Sequence, residues 1–177
     1  MEPPSSGPIP NAYWVKPGRF LAGDYPGGAD DNRTRTRVHN LLAVGVTLFL
    51  DLTEVSEHRS KPYAHLLKAE SGNLGQAIEY HRIPIRDWQV PTLEVMTHIL
   101  DTIDTALDAG QVIYIHCFAG LGRTGTVVGC YLVRHGLHGE AALAEIARLR
   151  HDLPTGKIAS PEVEVQRQMV RRWPMGQ

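Results

Sequence analysis

Cysteine is scarce in this chain. Cys117 and Cys130 are the only two among 177 residues. Two thiols cannot build the disulfide framework of a small secreted scaffold. No Cys/His cluster has the spacing of a zinc site. No apolar run approaches the ~20 residues that a membrane span needs. The start, "MEPPSSGPIPNA", lacks the positive n-region and apolar h-region of a secretory signal. A large charge of either sign is missing too: the formal net charge is -1, so no global basic field points to nucleic acid or an anionic membrane. The expected setting is reducing and cytoplasmic, where a thiol survives. No metal and no cofactor are expected, and oligomeric state is not legible.

What is present fits one folded unit. Hydrophobic residues make up 42% and charged residues 21%, as in a soluble globular domain long enough for a sizeable core. Residues 1–12, rich in Pro and Ser, read as a flexible or extended lead-in, and 13–177 as a single domain. There is no internal repeat. Strands are expected at 18–23, 46–52, 78–85 and 112–116. Helices are expected at 31–44, 62–70, 92–109, 124–135, 139–150 and 161–173. Leu93, Met96, Ile99, Leu100, Ile103 and Leu107 share one helical face. Pro161 suits the first turn of the last helix. Strands separated by helices indicate an α/β domain, with a largely parallel sheet of about four to five strands flanked by helices.

The stretch "HCFAGLGRTG", residues 116–125, carries the chemistry. Its three glycines fit G-x-G-x-x-G, but a dinucleotide turn also needs a following second strand with an acidic residue at its end. The segments after this loop read as helices. A Walker A loop is excluded because no Lys follows Gly122. Cys-x5-Arg accounts for more of the residues. A short loop between a strand and a helix can curl the backbone N–H groups of Phe118, Ala119, Gly120, Leu121, Gly122 and Arg123 around a tetrahedral anion. Gly120 and Gly122 permit the tight backbone this needs. The helix N-terminus favours a thiolate at Cys117. Arg123 can hold two phosphate oxygens at once. Thr124 can donate its hydroxyl to the Cys117 sulfur, or to the sulfur as it leaves in a second step.

The stretch resembles the His-Cys-x5-Arg-[Ser/Thr] signature of protein tyrosine and dual-specificity phosphatases, closest to the small atypical dual-specificity enzymes. "DLTE", "IPIRDWQVP", "EIARLR" and "SPEVEVQ" fall in the order in which such enzymes carry similar segments. The resemblance covers most of residues 46–170 and implies a tyrosine-phosphatase-like fold. It implies hydrolysis of phosphotyrosine, with phosphoserine and phosphothreonine also open, through a phosphocysteine, and a phosphorylated protein or peptide as partner. It also implies a general acid at Asp87, which has Pro91 four positions on. Asp51 and Asp24 are weaker rivals. His116 is expected to orient Cys117. Glu54, in the "LTE" segment, is expected to brace Arg123, and Gln166 to position the hydrolytic water. Trp88 and Tyr25 are candidates for the pocket rim or for packing. Cys130 is expected in the core, and Arg33, Arg35 and Arg37 on solvated surface. A module of this fold that binds phosphate without turnover remains an alternative. So does action on a phosphoinositide or nucleotide, although "FAGLG" carries no Lys.

Overall fold

The computed structural model describes residues 7–57 and 61–177. Residues 1–6 of the expected lead-in, and residues 58–60, lie outside the described residues. Among the described residues, five strands and six helices follow one another as β1 (Tyr13–Lys16), β2 (Phe20–Gly23), α1 (Asp31–Ala43), β3 (Leu48–Asp51), α2 (Ala64–Asn73), β4 (Glu79–Arg82), α3 (Leu93–Asp108), β5 (Ile113–His116), α4 (Gly122–Arg134), α5 (Gly139–Arg150) and α6 (Glu164–Arg172). The sheet order is β1-β2-β5-β3-β4. β2, β5, β3 and β4 run parallel; β1 is antiparallel to β2 at the edge.

Strand periodicity divides the core in two. Successive side chains of a strand point to opposite faces. Phe20, Ala22, Leu48, Leu50, Ile113 and Ile115 therefore join one cluster, with Met96, Ile99 and Ile103 of α3 and Val127 of α4. Leu21, Phe49 and Tyr114 join the other, with Val38, Leu41 and Leu42 of α1 and Leu67 of α2. All four residues of β3 and of β5 are buried, as expected for central parallel strands covered on both faces. Ile9 and Ala12 pack into the α1 side of the core.

Local chemistry fixes the helix starts. Asp30 caps α1 by accepting from the N–H groups of Asn32 and Arg33, and Thr92 caps α3 by accepting from Val95 N–H. β1 had no signal of its own in the sequence. It is four residues long, and its position comes from the turn at Pro17–Gly18, where Arg19 N–H donates to Lys16 O at 3.0 Å. Three helices start two or more residues from the expected position, α2 at Ala64 rather than Pro62 among them. α4 begins at Gly122, so Arg123 lies in its first turn. α6 begins at Glu164 rather than Pro161. Pro161 is instead packed against α4 in the preceding turn, where a Cβ on Gly125 would lie 3.1 Å from its nitrogen.

α5 and α6 cross so closely that a Cβ on Gly139 would stand 2.4 Å from the Arg171 Cα. Main chain, not a flexible side-chain tip, blocks it. Gly139→Ala is therefore expected to destabilise the fold by about 1–3 kcal/mol, read as a lower midpoint in urea denaturation. An unchanged midpoint would contradict this packing.

Candidate active site

The loop 117–123 leaves the carboxyl end of β5, between β2 and β3, where parallel sheets place their ligand crevices. It is held closely on two sides. Gly120 has φ +72°, and a Cβ there would lie 2.6 Å from the Gly23 carbonyl carbon at the end of β2. Only glycine fits both the conformation and the approach. Tyr25 N–H donates to Phe118 O at 2.9 Å. From the other side Ser160 Oγ donates to Leu121 O at 2.7 Å, and a Cβ on Gly122 would lie 2.9 Å from Gln166 Oε1. The loop borders a cavity of about 130 Å³ lined by Cys117, Phe118, Arg123, Asp87, Trp88 and Glu162, among others. A larger open groove, about 670 Å³, lies between β4 and α3. It contains none of the loop residues and no nucleophilic thiol.

Arg123 is 2% exposed, and its guanidinium is held on several sides. Glu57 takes it in a bidentate grip, Nη1 to Oε2 at 2.6 Å and Nη2 to Oε1 at 2.5 Å. Nη1 also donates to Ile85 O at 3.0 Å. Nη2 lies 3.0 Å from Asp87 Oδ1. The carboxylate bracing Arg123 is thus Glu57, not the expected Glu54. Glu54 is exposed, and its backbone N–H donates to Glu57 Oε2 at 3.0 Å. The physical reason is a tight turn after Leu52, with Ser56 at φ 60°, which aims the carboxylate three positions further on at the arginine.

Asp87 stands on the segment between β4 and α3, on the cavity wall. Its Oδ1 accepts from Trp88 N–H at 3.1 Å. Trp88 has φ 62°, uncommon for a bulky residue, and it is 54% exposed. Trp88 thus lines the cavity, whereas Tyr25 is buried beneath Phe118, with its hydroxyl on Lys61 O at 2.9 Å. Gln166 is buried behind the loop; its Nε2 donates to Gln89 O at 3.2 Å. The Thr124 hydroxyl donates to Gly23 O at 3.4 Å, not to the Cys117 sulfur as expected. The early start of α4 turns Thr124 inward, where it is fully buried against β2.

His116 is fully buried next to Cys117. Its Nδ1 lies 3.1 Å from Cys117 O and its Nε2 2.7 Å from the Tyr63 hydroxyl. Burial, the largest influence, lowers the His116 pKa, against the attraction of Asp51. The imidazole is therefore neutral near pH 7. A carbonyl only accepts, so Nδ1 carries the proton, and Nε2 accepts from Tyr63. Asp51, at the end of β3, is held by one local and two distant partners. It accepts from Thr53 Oγ1 at 2.6 Å, Tyr80 Oη at 2.5 Å and Arg82 Nη2 at 3.0 Å. Asp24 pairs with Arg37 and Arg35 with Glu70, so neither arginine is merely solvated. Cys130 is buried in the core, and burial pushes its thiol pKa up.

Three residues of this site are not singled out by the sequence motifs: Glu57, Tyr63 and Glu162. Glu57 and Glu162 lie within or beside the quoted segments "DLTE" and "SPEVEVQ", so proximity to them was the available clue. Tyr63 reaches His116 only through the fold.

Glu57→Gln is expected to destabilise the protein by about 2–4 kcal/mol, since it removes the charge facing a buried guanidinium. Glu54→Gln is expected to leave stability within about 0.5 kcal/mol. Thermal unfolding of the two variants checks this; equal effects would contradict the pairing.

Comparison with known proteins agrees with this geometry. A dual-specificity phosphatase of Mus musculus, CDC14B, is 36% identical over 84 residues, covering 48% of this chain and 16% of its own. An Arabidopsis thaliana protein named as a phosphatidylinositol 3,4,5-trisphosphate 3-phosphatase and protein-tyrosine-phosphatase, PTEN1, is 34% identical over 94 residues, covering 52% and 22%. The chain thus spans less than a quarter of the length of either relative. Among solved structures, Tk-PTP in its active form superposes with a TM-score of 0.68 at 25% identity, over 93% of this chain and 96% of that one. Kinase-associated phosphatase shares the fold, with a TM-score of 0.70 at 17% identity over 93% of each chain. A family model described as the DSP-PTPase phosphatase domain of the Swiss Army Knife proteins matches residues 10–171. The chain belongs to this family of cysteine-based, dual-specificity-type phosphatase domains.

Proposed function

We propose that this protein hydrolyses phosphomonoesters of phosphorylated proteins or peptides through a phosphocysteine intermediate. The observation that carries the proposal is the shared cavity of Cys117, Arg123 and Asp87, closed by one short loop. The Cys117 thiolate attacks phosphorus in line with the departing oxygen, and Asp87 gives that oxygen its proton. The backbone N–H groups of 118–123 and Arg123 stabilise the equatorial oxygens as charge spreads over them. Water then attacks the phosphocysteine, with Gln166 placing it and Asp87 taking its proton. Neutral His116 fixes the main chain of Cys117 through its Nδ1–H. Thr124, buried on Gly23, serves the helix start and the loop rather than the sulfur. A thiolate mechanism also favours a reducing compartment such as the cytoplasm.

Two features support an aromatic phosphoester. Phe118 and Trp88 line the cavity and are exposed, 39% and 54%, so both are available to flank a phosphotyrosine ring. Some relatives carry lipid-phosphatase names, such as the phosphatidylglycerophosphate phosphatase of Arabidopsis thaliana. A phosphoinositide or nucleotide ester is accordingly the second reading.

The test is metal-free phosphate release from p-nitrophenyl phosphate and from phosphopeptides, phosphoinositides and nucleotides. Wild type is expected to turn over phosphotyrosine peptide fastest. Cys117→Ser is expected to lose all turnover, and Arg123→Lys to lose about 10²–10³-fold, since Lys offers no planar fork. Phosphopeptide binding without turnover by the wild type would favour the recognition module. Faster release from an inositide would move the substrate to the lipid class.

A further inference from the structure

We propose that Glu162 is a second acid–base residue of the phosphate pocket, giving a proton to the leaving oxygen alongside Asp87. The inference rests on the phosphatase reading of this pocket. Glu162 lies in the turn before α6 and lines the same cavity as Cys117, Arg123 and Asp87. Its Oε2 lies 3.2 Å from where a Gly122 Cβ would stand, so the carboxylate borders the loop at Gly122. Gly122 belongs to the loop whose amides face the phosphate.

That contact has a consequence when substrate arrives. A phosphate dianion in this cavity comes beside the Glu162 carboxylate. Two anions in contact in a small cavity repel, and one of them must be neutralised. The dianion is fixed by the amides and Arg123, so Glu162 keeps its place as the neutral acid. The groups around it bear on the same balance. Burial, first, and then the negative charge of Asp87 raise its pKa, while Arg123, Arg150 and the Gly122 N–H oppose the rise. Asp87 differs in its partners, with Arg123 at 3.0 Å and the Trp88 N–H on its Oδ1. Substrate binding thus loads a proton onto Glu162 at the cavity wall, beside the reacting phosphorus.

The step balances. The Cys117 sulfur forms the S–P bond as the P–O bond to the leaving group breaks. The leaving oxygen takes one proton, from Glu162 or from Asp87, and departs as a neutral alcohol or phenol, leaving that donor as carboxylate. When water attacks phosphorus, the S–P bond breaks, the electron pair returns to sulfur, and the carboxylate takes up the water proton.

The test compares kcat/KM for phenyl phosphate, whose leaving group needs a proton, with 2,4-dinitrophenyl phosphate, whose leaving group does not. The ratio of the two rates is independent of the folded fraction of enzyme. Glu162→Gln is expected to lower kcat/KM for phenyl phosphate by roughly 10²-fold and for the dinitrophenyl ester by less than about threefold. It is also expected to flatten the alkaline limb of the phenyl phosphate profile. Unchanged rates overturn the inference. So does an equal loss on both esters, which would make Glu162 a prop of the loop. Wild type that releases no phosphate, or Cys117→Ser that still does, overturns the phosphatase reading itself, and the inference falls with it.

Discussion

A buried guanidinium organises this site. Taking a cation out of water costs several kcal/mol unless its partners are well placed. Arg123 meets that condition through the bidentate grip of Glu57 and the carbonyl of Ile85. These partners come from two different segments, the turn after β3 and the segment after β4. Arg123 therefore joins the two walls of the pocket to the first turn of α4. It also holds Asp87, at 3.0 Å. One side chain thus fixes the mutual position of the anion clamp, the candidate acid and the helix dipole behind the loop.

The remaining geometry follows from how the loop is seated. Gly120 lies against the end of β2, and Gly122 against Gln166 and Glu162. Both approaches exclude a side chain, so the amides are left free to converge. Below the loop, His116 joins the Cys117 carbonyl to Tyr63, in an aromatic layer that includes Tyr25 and Tyr114. Asp51, Tyr80 and Arg82 extend the polar contacts toward the surface. Cys117, the proposed nucleophile, thus stands on a mostly satisfied base, as preorganised electrostatic stabilisation requires.

Much of this was legible in the sequence for identifiable reasons. The central strands, β3 and β5, are short apolar runs flanked by turn residues, and α3 carries an unbroken apolar stripe. Cys117 and Arg123 were legible because their spacing spans one loop, a local property. β1 was not, since a four-residue edge strand is set by the hairpin that returns it to β2. The arginine brace was placed three residues too early, at Glu54. The segment was right, but a turn with a left-handed Ser56 decides which carboxylate points inward, and no periodicity encodes that. The Thr124 hydroxyl lies on β2 instead of the sulfur, because α4 starts at Gly122. Glu162 and Tyr63 depend on contacts 40 to 53 residues apart in the chain, beyond the reach of local pattern.

The central claim is a covalent phosphoryl intermediate on Cys117. The most direct measurement is rapid acid quench of the enzyme during turnover of a radiolabelled phosphotyrosine peptide, with mapping of the protein-bound label. The account predicts label on the Cys117 thiol in wild type and none in Cys117→Ser. Turnover with no protein-bound label, or label retained in Cys117→Ser, would contradict it.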